Sequence, residues 1–514
     1  MRAILSFVGL LSLIMVPSAT RGVPLVTGQS IVIAGDEATG LAAQTFTLAY
    51  GHPNDSGEVA ISGRASSGRG GVWLWNTGSP ASVLPVLLPG PSLTNPGLEV
   101  ANAFVRNQAA SGKVGIQATY STGVGGVTTS TDTFFGIYDP AAGYTGVVRE
   151  GDPIPGAPTR KFILDLGADA IPQFNAAGQA IFTAGFLAGG TFEGGLWKFD
   201  PALGLAPLTS ATGFPPIVPN IYDLNDAGDV VYATPLPGTG QFGIYGPDAG
   251  GAFYEVARTG GLAPGLAGFG AYTWIPGGGD FSLNELGQVG FAAELLVGLG
   301  SVTVNDNWGL WVADGPGNIL LRHREGDLVP GAPAGIRFRE FDTPVLNDAG
   351  ALAFSAQLRL GEGGVTNLSD SAIFGPDGLG GVRMLAREGD PVPGIPGSAW
   401  GNLFDVHLSQ AGEVAFAALN GGEYGIFLAD LAGVVRRIVG AGDDVDLGDR
   451  GVRSIESVVE WQASPDLQHY AVTARFSDGD YGLFLVSIPE PGTGTLVVLG
   501  LSFLAMRRPQ RVQR

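Results

Sequence analysis

The stretch VLNDAGALAFSAQL (residues 345–358) joins two local signals. Asn347 and Gly350 both tolerate positive φ, so NxxG predicts a tight turn. The apolar residues that follow alternate with a period of two, which predicts a half-buried strand. The same element recurs as QFNAAGQAIFTAGF around Asn175 and Gly178, DLNDAGDVVYATPL around Asn225 and Gly228, and SLNELGQVGFAAEL around Asn284 and Gly287. Weaker copies are NDSGEVAI from Asn54, SGKVGIQA from Ser111, LSQAGEVAFAAL with Ser409 in the Asn place, and WQASPDLQHYAVTA from Trp461. The eight turns fall near Gly57, Gly112, Gly178, Gly228, Gly287, Gly350, Gly412 and Asp466.

Each copy is followed by a second strand, as in GGLWKF at Gly194, WGLWVA at Trp308 and YGLFLV at Tyr481. A third strand leads into a recurring motif: REGDPIPGAP from Arg149, REGDLVPGAP from Arg324 and REGDPVPGIP from Arg387. A fourth strand, rich in Phe and Leu, precedes each turn. Four short antiparallel strands per unit are the content of a propeller blade. The last unit lacks its third strand, whereas SIVIAGDEATG near the start (residues 30–40) looks like that missing piece. The expectation is an all-β chain folded as a β-propeller of eight four-stranded blades, closed by its N-terminal strand so that no edge stays open; seven blades is the alternative.

The repeated REGDxxPG motif reads as a joint between blades. Gly supplies a permissive φ, Pro a fixed one, and Arg149, Asp152, Arg324, Asp327, Arg387 and Asp390 are expected to pair across blades. The rival reading points the three Asp residues at a ligand or cation on one face. Chemistry elsewhere is sparse. His52, His323, His407 and His469 lack ligand spacing, and no GxSxG, Walker loop or Ser-His-Asp set stands out. GDDVDLGD offers Asp443, Asp444 and Asp446 as a weak calcium cluster whose Gly448 is out of register for an EF-hand, so no cofactor is expected apart from that calcium option. Asp223, Asp280, Asp342 and Asp405 precede the turns and either line a negative central channel or cap turns. Three second-strand hairpins are long (residues 121–133, 296–307 and 359–370) where NGGE before Tyr424 is short; their Ser, Thr, Asn and Gly suit hydrogen bonding to a polar polymer.

Composition agrees with a large β protein: 514 residues with 84 Gly, 35 Pro and 14% charged residues are too apolar for disorder and too rich in turn formers for a helical fold. The net charge of −20 repels nucleic acid and anionic lipid. The absence of cysteine removes disulfides, thiolate nucleophiles and Cys-based metal centres, and permits an oxidising compartment.

The ends read as addresses. Residues 1–22 carry Arg2, an apolar run at 3–16 and a small-residue stretch around Ala19, the layout of a signal peptide. Residues 489–514 carry Pro489-Glu490-Pro491, an apolar segment through Met506, and Arg507, Arg508, Arg511 and Arg514. This tripartite end resembles the PEP-CTERM sorting signal of Gram-negative bacteria, and the NxxGxxxAF pattern, fully matched by Asn347, Gly350, Ala353 and Phe354, resembles tandem repeats of bacterial surface proteins that carry such signals. The resemblance implies an exosortase-type processing enzyme as partner, transient insertion in the inner membrane and delivery to the cell surface or extracellular matrix. It brings no enzymatic activity. Residues 23–488 are then the repeat body. The expected function is a non-catalytic surface or matrix protein that binds a glycan, polymer or surface protein, with an extracellular polysaccharide hydrolase or lyase as the alternative.

Overall fold

The computed structural model describes residues 26–488, except 78–81, 93–94, 96, 165–170, 189–190, 209–220, 237–240, 267–269, 275–280 and 422. The expected signal peptide and sorting segment lie outside the described residues. Among the described residues, helix is limited to one 3-10 turn, Gly448–Arg450, and no helix is long and apolar enough to cross a membrane. The rest is eight antiparallel blades in a ring, a β-propeller. Blade 6 is representative, with strands counted from the one that precedes the Asn turn, the innermost of the blade: Phe338–Phe341 and Val345–Leu346 together form the first strand, followed by Leu352–Leu358, Ser371–Pro376 and Val382–Arg387. Blade 1 is Phe46–Pro53, Val59–Ala65, Gly70–Asn76 and Ser82–Leu87.

Blade 8 takes strands from both ends of the chain. Val452–Ala463, His469–Phe476 and Tyr481–Ser487 come from the C-terminal side, and Gln29–Ile33 pairs antiparallel with Tyr481–Ser487. Val26–Thr27 adds a short parallel pairing with Asp444–Asp446. First strands of neighbouring blades touch one another, which puts them around the axis.

The strands that follow the Asn turns differ from the expected half-buried pattern. Ala353, Phe354, Ser355 and Ala356 are all buried, because both faces of a blade are covered by neighbouring blades. The period of two sorts residues by seam. Phe354 packs with Leu310 and Phe338 in the seam between blades 5 and 6, while Ala353 packs with Trp400 and Phe416 in the seam between blades 6 and 7. Phe416 and Ala415 divide in the same way one blade further on. A large side chain thus faces the preceding blade and a small one the following blade, so the sheets interdigitate at close packing. Apolar clusters of this kind occupy the seams of the whole ring, and one joins Ile31, Val32, Leu483 and Leu485 of blade 8 to Phe46, Ile61 and Trp73 of blade 1.

The turn Asn residues serve the same ring. Asn284 is buried; its Oδ1 accepts the amide hydrogen of Gln288 at 2.8 Å, and its Nδ2 donates to the Asn347 carbonyl in the next blade at 2.9 Å. Asn175 bonds the Asn225 carbonyl and Asn225 the Asn284 carbonyl, each at 2.9 Å. Asn347 continues the chain of bonds to the Ser409 carbonyl at 3.3 Å. An amide side chain carries its acceptor and its donors on separate atoms, so it accepts from its own turn and reaches the neighbouring blade at once, which explains Asn at these positions. Ser409 keeps the turn bond, its hydroxyl oxygen accepting from the Glu413 amide at 3.0 Å. In blade 2 the Asn place is held by Ala109, whose carbonyl closes the turn on Gly112. In blade 8 the glycine place belongs to Leu467, at φ 58°, and not to neighbouring Asp466.

Candidate functional site

The first strand of each blade runs from the REGD joint to the Asn turn, so joints and Asn turns lie on opposite faces of the ring. The hairpin between second and third strands returns to the joint face.

On the Asn-turn face the acidic residues are occupied. The Asp226 carboxylate accepts from the Ala176 amide at 2.6 Å, Glu285 from the Asp226 amide at 2.8 Å, and Asp348 from the Glu285 amide at 2.9 Å. Burial raises the Glu285 carboxyl above its ordinary value; the amides of Asp226 and Ala227 pull it down, and the charges of Asp226 and Asp348 push it up. These groups stitch blade to blade. The acids expected along the channel do related work. Asp223 accepts from the Leu224 amide and from the Leu283 amide of blade 5, and Asp342 accepts from the Ser355 hydroxyl. Asp405 stands at φ 55° next to His407, which packs edge-on against Trp461 at 5.0 Å. Asp280 lies outside the described residues.

The joints correct the expected pairing. Asp152 and Asp327 do not reach across blades: each accepts the backbone N–H of its own Arg149 or Arg324 at 2.8 Å, closing a turn whose glycine, Gly151 or Gly326, has φ 84° or 87°. Such a positive φ requires glycine at little cost. Arg387 bonds Asp390 within the same turn at 2.5 Å. The arginines brace the long hairpin of their own blade, Arg149 through Nε to the Thr131 carbonyl at 3.0 Å and Arg324 to Asp306 at 3.1 Å. The contact across blades goes to the glutamate that sequence reasoning passed over. Buried Glu325 accepts from the Asn307 amide at 3.0 Å and meets Arg359 of blade 6 at 3.2 Å.

The three long hairpins are one structure built three times. Gly123, Gly298 and Gly361 donate from their amides to the carbonyls of Val127, Val302 and Val365 at 2.8–2.9 Å. Those three valines are buried in seam cores. The next residue is Thr in each, and the amides of Thr128, Thr303 and Thr366 bond the side chains of Thr131, Asp306 and Ser369 at 2.9, 2.6 and 3.0 Å. The tips differ. Blade 2 presents Thr129 and Ser130, whereas blades 5 and 6 expose Val304 at 68% and Leu368 at 72% beside Asn305 and Asn367. The shared pattern GxGxVT was visible in the sequence as a motif, beyond its length.

GDDVDLGD does not converge. Asp443 takes the joint place, accepting from the Gly440 amide at 2.7 Å and from Arg437 at 2.9 Å, while Asp444 accepts from Ser454 and Asp446 from the Gly448 amide. Among the described residues no group of three or more His, Asp or Glu comes together to hold a metal ion.

A cleft of about 580 Å³ opens on the joint face where blade 8 meets blade 1. Thr47, Leu48 and Tyr50 line it from one first strand and Val459 from the other, with Arg64, Ala65, Ser66 and Gly68 from the short hairpin of blade 1 and Tyr481 of blade 8. Burial raises the Tyr50 hydroxyl above its ordinary value; Glu460 and Tyr481 push it further and Arg64 pulls it down. Burial also raises the Glu460 carboxyl.

Of the histidines, His323 packs against Phe338 and Phe354 at 5.5 and 5.6 Å, and His469 Nδ1 lies 2.9 Å from the Ser487 hydroxyl. His52 is the most perturbed: burial first, then the Arg106 charge, pushes its imidazole from 6.5 down to about 4. A depressed folded pKa means that the unfolded chain takes up a proton which the folded one refuses, so the contribution is full above 6.5 and is lost as pH falls toward 4. His52→Gln should therefore flatten the decline in melting temperature between about pH 7 and about pH 5, a difference on the order of 2 kcal/mol. Identical pH profiles for variant and parent in thermal melts would contradict the burial of a neutral imidazole.

No curated protein matches. Among solved structures, the chain is similar to dipeptidyl peptidase 4 of Porphyromonas gingivalis (9% identity, TM-score 0.43), covering 83% of this chain and 56% of that one. It is similar to the polysaccharide lyase Uly1 (10%, TM-score 0.33), covering 91% of this chain and 100% of that one. It is also similar to Trypanosoma rangeli sialidase (8%, TM-score 0.27), covering 93% and 59%. The chain thus spans little more than half the length of the peptidase, and likeness at these scores transfers no chemistry. The family is decided by sequence: one family model matches residues 20–213 and again 206–495, and the chain belongs to the Family of unknown function (DUF7453).

Proposed function

We propose that this chain is an exported, non-catalytic surface or extracellular-matrix protein that binds a glycan or other polar polymer through its joint face. The observation that carries the reading is the threefold loop. Blades 2, 5 and 6 repeat a twelve-residue hairpin with the same internal bonds, braced in blades 2 and 5 by the joint arginine, although the four-residue turn of blade 7 is enough to connect the same strands. A rigid base with differing tips is how repeat scaffolds present a binding side. The tips combine Thr, Ser and Asn with a few apolar side chains, which suits a polymer having both hydroxyl and hydrocarbon surface. Export follows from the two end segments. The signal peptide starts translocation, the apolar C-terminal segment stalls in the inner membrane, and an exosortase-type enzyme processes the Pro489-Glu490-Pro491 region.

Replacing the exposed tip residues Thr129, Ser130, Val304, Asn305, Asn367 and Leu368 by Gly, which spares the buried Val127, Val302 and Val365, should leave the melting curve nearly intact and reduce adhesion to matrix polymer extracted from the host at least tenfold. Unchanged adhesion would remove the joint face from consideration. Recovery of the intact chain from the host cytosol would remove the export reading. A second reading, a polysaccharide-cleaving enzyme, is favoured by Tyr50 and Arg64 lining one cleft, where burial raises the Tyr50 hydroxyl above its ordinary value. The appearance of new reducing ends during the adhesion assay would select it.

A further inference from the structure

We propose that the cleft between blades 8 and 1 seats one unit of a neutral saccharide. The inference rests on the glycan-binding reading above and names its ligand class. The space, about 580 Å³, is the size of a small-molecule site, and it mixes apolar walls with a few polar groups as such sites do. Leu48, Ala65 and Val459 supply the apolar part, and Tyr50 and Tyr481 add ring surface with hydroxyls that both donate and accept. Arg64 brings a planar fork of donors for sugar oxygens. Its Nε is steadied by the Gly68 carbonyl at 3.3 Å, and its own carbonyl accepts from the Thr47 hydroxyl at 3.1 Å. The hydroxyl oxygens of Thr47 and Ser66 are further acceptors for sugar hydroxyls.

The charge of the chain selects the class. Arg64 is the one charged residue in the lining, and the chain as a whole carries −20, a field that disfavours a polyanion such as a uronate polymer. A neutral sugar meets no such field, and hydroxyl groups use donors and acceptors of both kinds.

The test uses full-length protein in detergent, titrated calorimetrically with neutral glucan and galactan hexasaccharides and with a uronate hexasaccharide. A neutral hexamer should bind, and Tyr50→Ala and Arg64→Ala should each weaken it at least tenfold. Ser66→Trp, a change at an exposed hairpin position that spares the core, should block binding while leaving the melting temperature unchanged, so misfolding is separable from lost recognition. If a neutral hexamer binds equally to parent, Tyr50→Ala and Ser66→Trp, the cleft is not the seat, though the joint-face reading survives. Binding of the uronate alone overturns the neutral assignment. Failure of every hexamer overturns the seat, and only if adhesion to matrix polymer is also absent does the glycan reading fall with it.

Discussion

Deleting residues 30–40 should cost the protein its cooperative unfolding. The deletion removes most of Gln29–Ile33, the partner of Tyr481–Ser487, and leaves that strand with an unpaired edge. It also takes Ile31 and Val32 from the seam with blade 1 and Ile33 from the seam with blade 7. At about 2 kcal/mol for each buried aliphatic side chain, these three alone amount to roughly 6 kcal/mol. That is comparable with the whole stability of an ordinary domain, about 5–15 kcal/mol. The expected result is a broad, early melt, or aggregates on size exclusion. A single sharp transition at the parent temperature would show that the N-terminal strand does not hold blade 8.

Asn284→Ala should be the most damaging single change among the Asn turns. It strands four partners: the Leu286 and Gln288 amides and the Gln288 side chain, which are half-buried or less, and the buried Asn347 carbonyl of the next blade. Buried groups left without partners cost about 1–3 kcal/mol each, so a loss on the order of 3–5 kcal/mol is expected in denaturant titration. Asn284→Ser should fall between the two, because the chain already uses Ser409 for the turn bond. Equal stability of all three forms would mean that the ring of Asn bonds contributes nothing.

Much of this architecture was legible in the sequence for a local reason. A tight turn, a strand with alternating side chains and a capped joint are each specified within about five residues, and repetition multiplied a weak signal eight times. Asn284 and Gly287 announce their turn wherever they stand. The partner of the Asn amide is another matter, since Asn284 and the carbonyl of Asn347 are separated by a whole blade. The joints show the same division. Gly326 and Asp327 could be read as a turn, but Glu325 became visible as the group that meets Arg359 only once blades 5 and 6 lay side by side. Half-buried strands were expected because alternation usually marks one wet face; in the ring both faces are dry, and alternation separates Phe354 from Ala353 by size. The cleft was least legible. Tyr50 and Tyr481 stand at opposite ends of the chain and meet only through ring geometry.

The most direct test of the central claim, that the joint face is the binding side, is hydrogen exchange on the intact protein with and without extracted matrix polymer. Bound polymer should slow exchange at the amides of 121–132, 296–307 and 359–370 and in the hairpin at 65–69. The Asn turns around 175–178, 225–228, 284–287 and 347–350 should stay unchanged. Protection confined to those turns, or none on either face at saturating polymer, would contradict it.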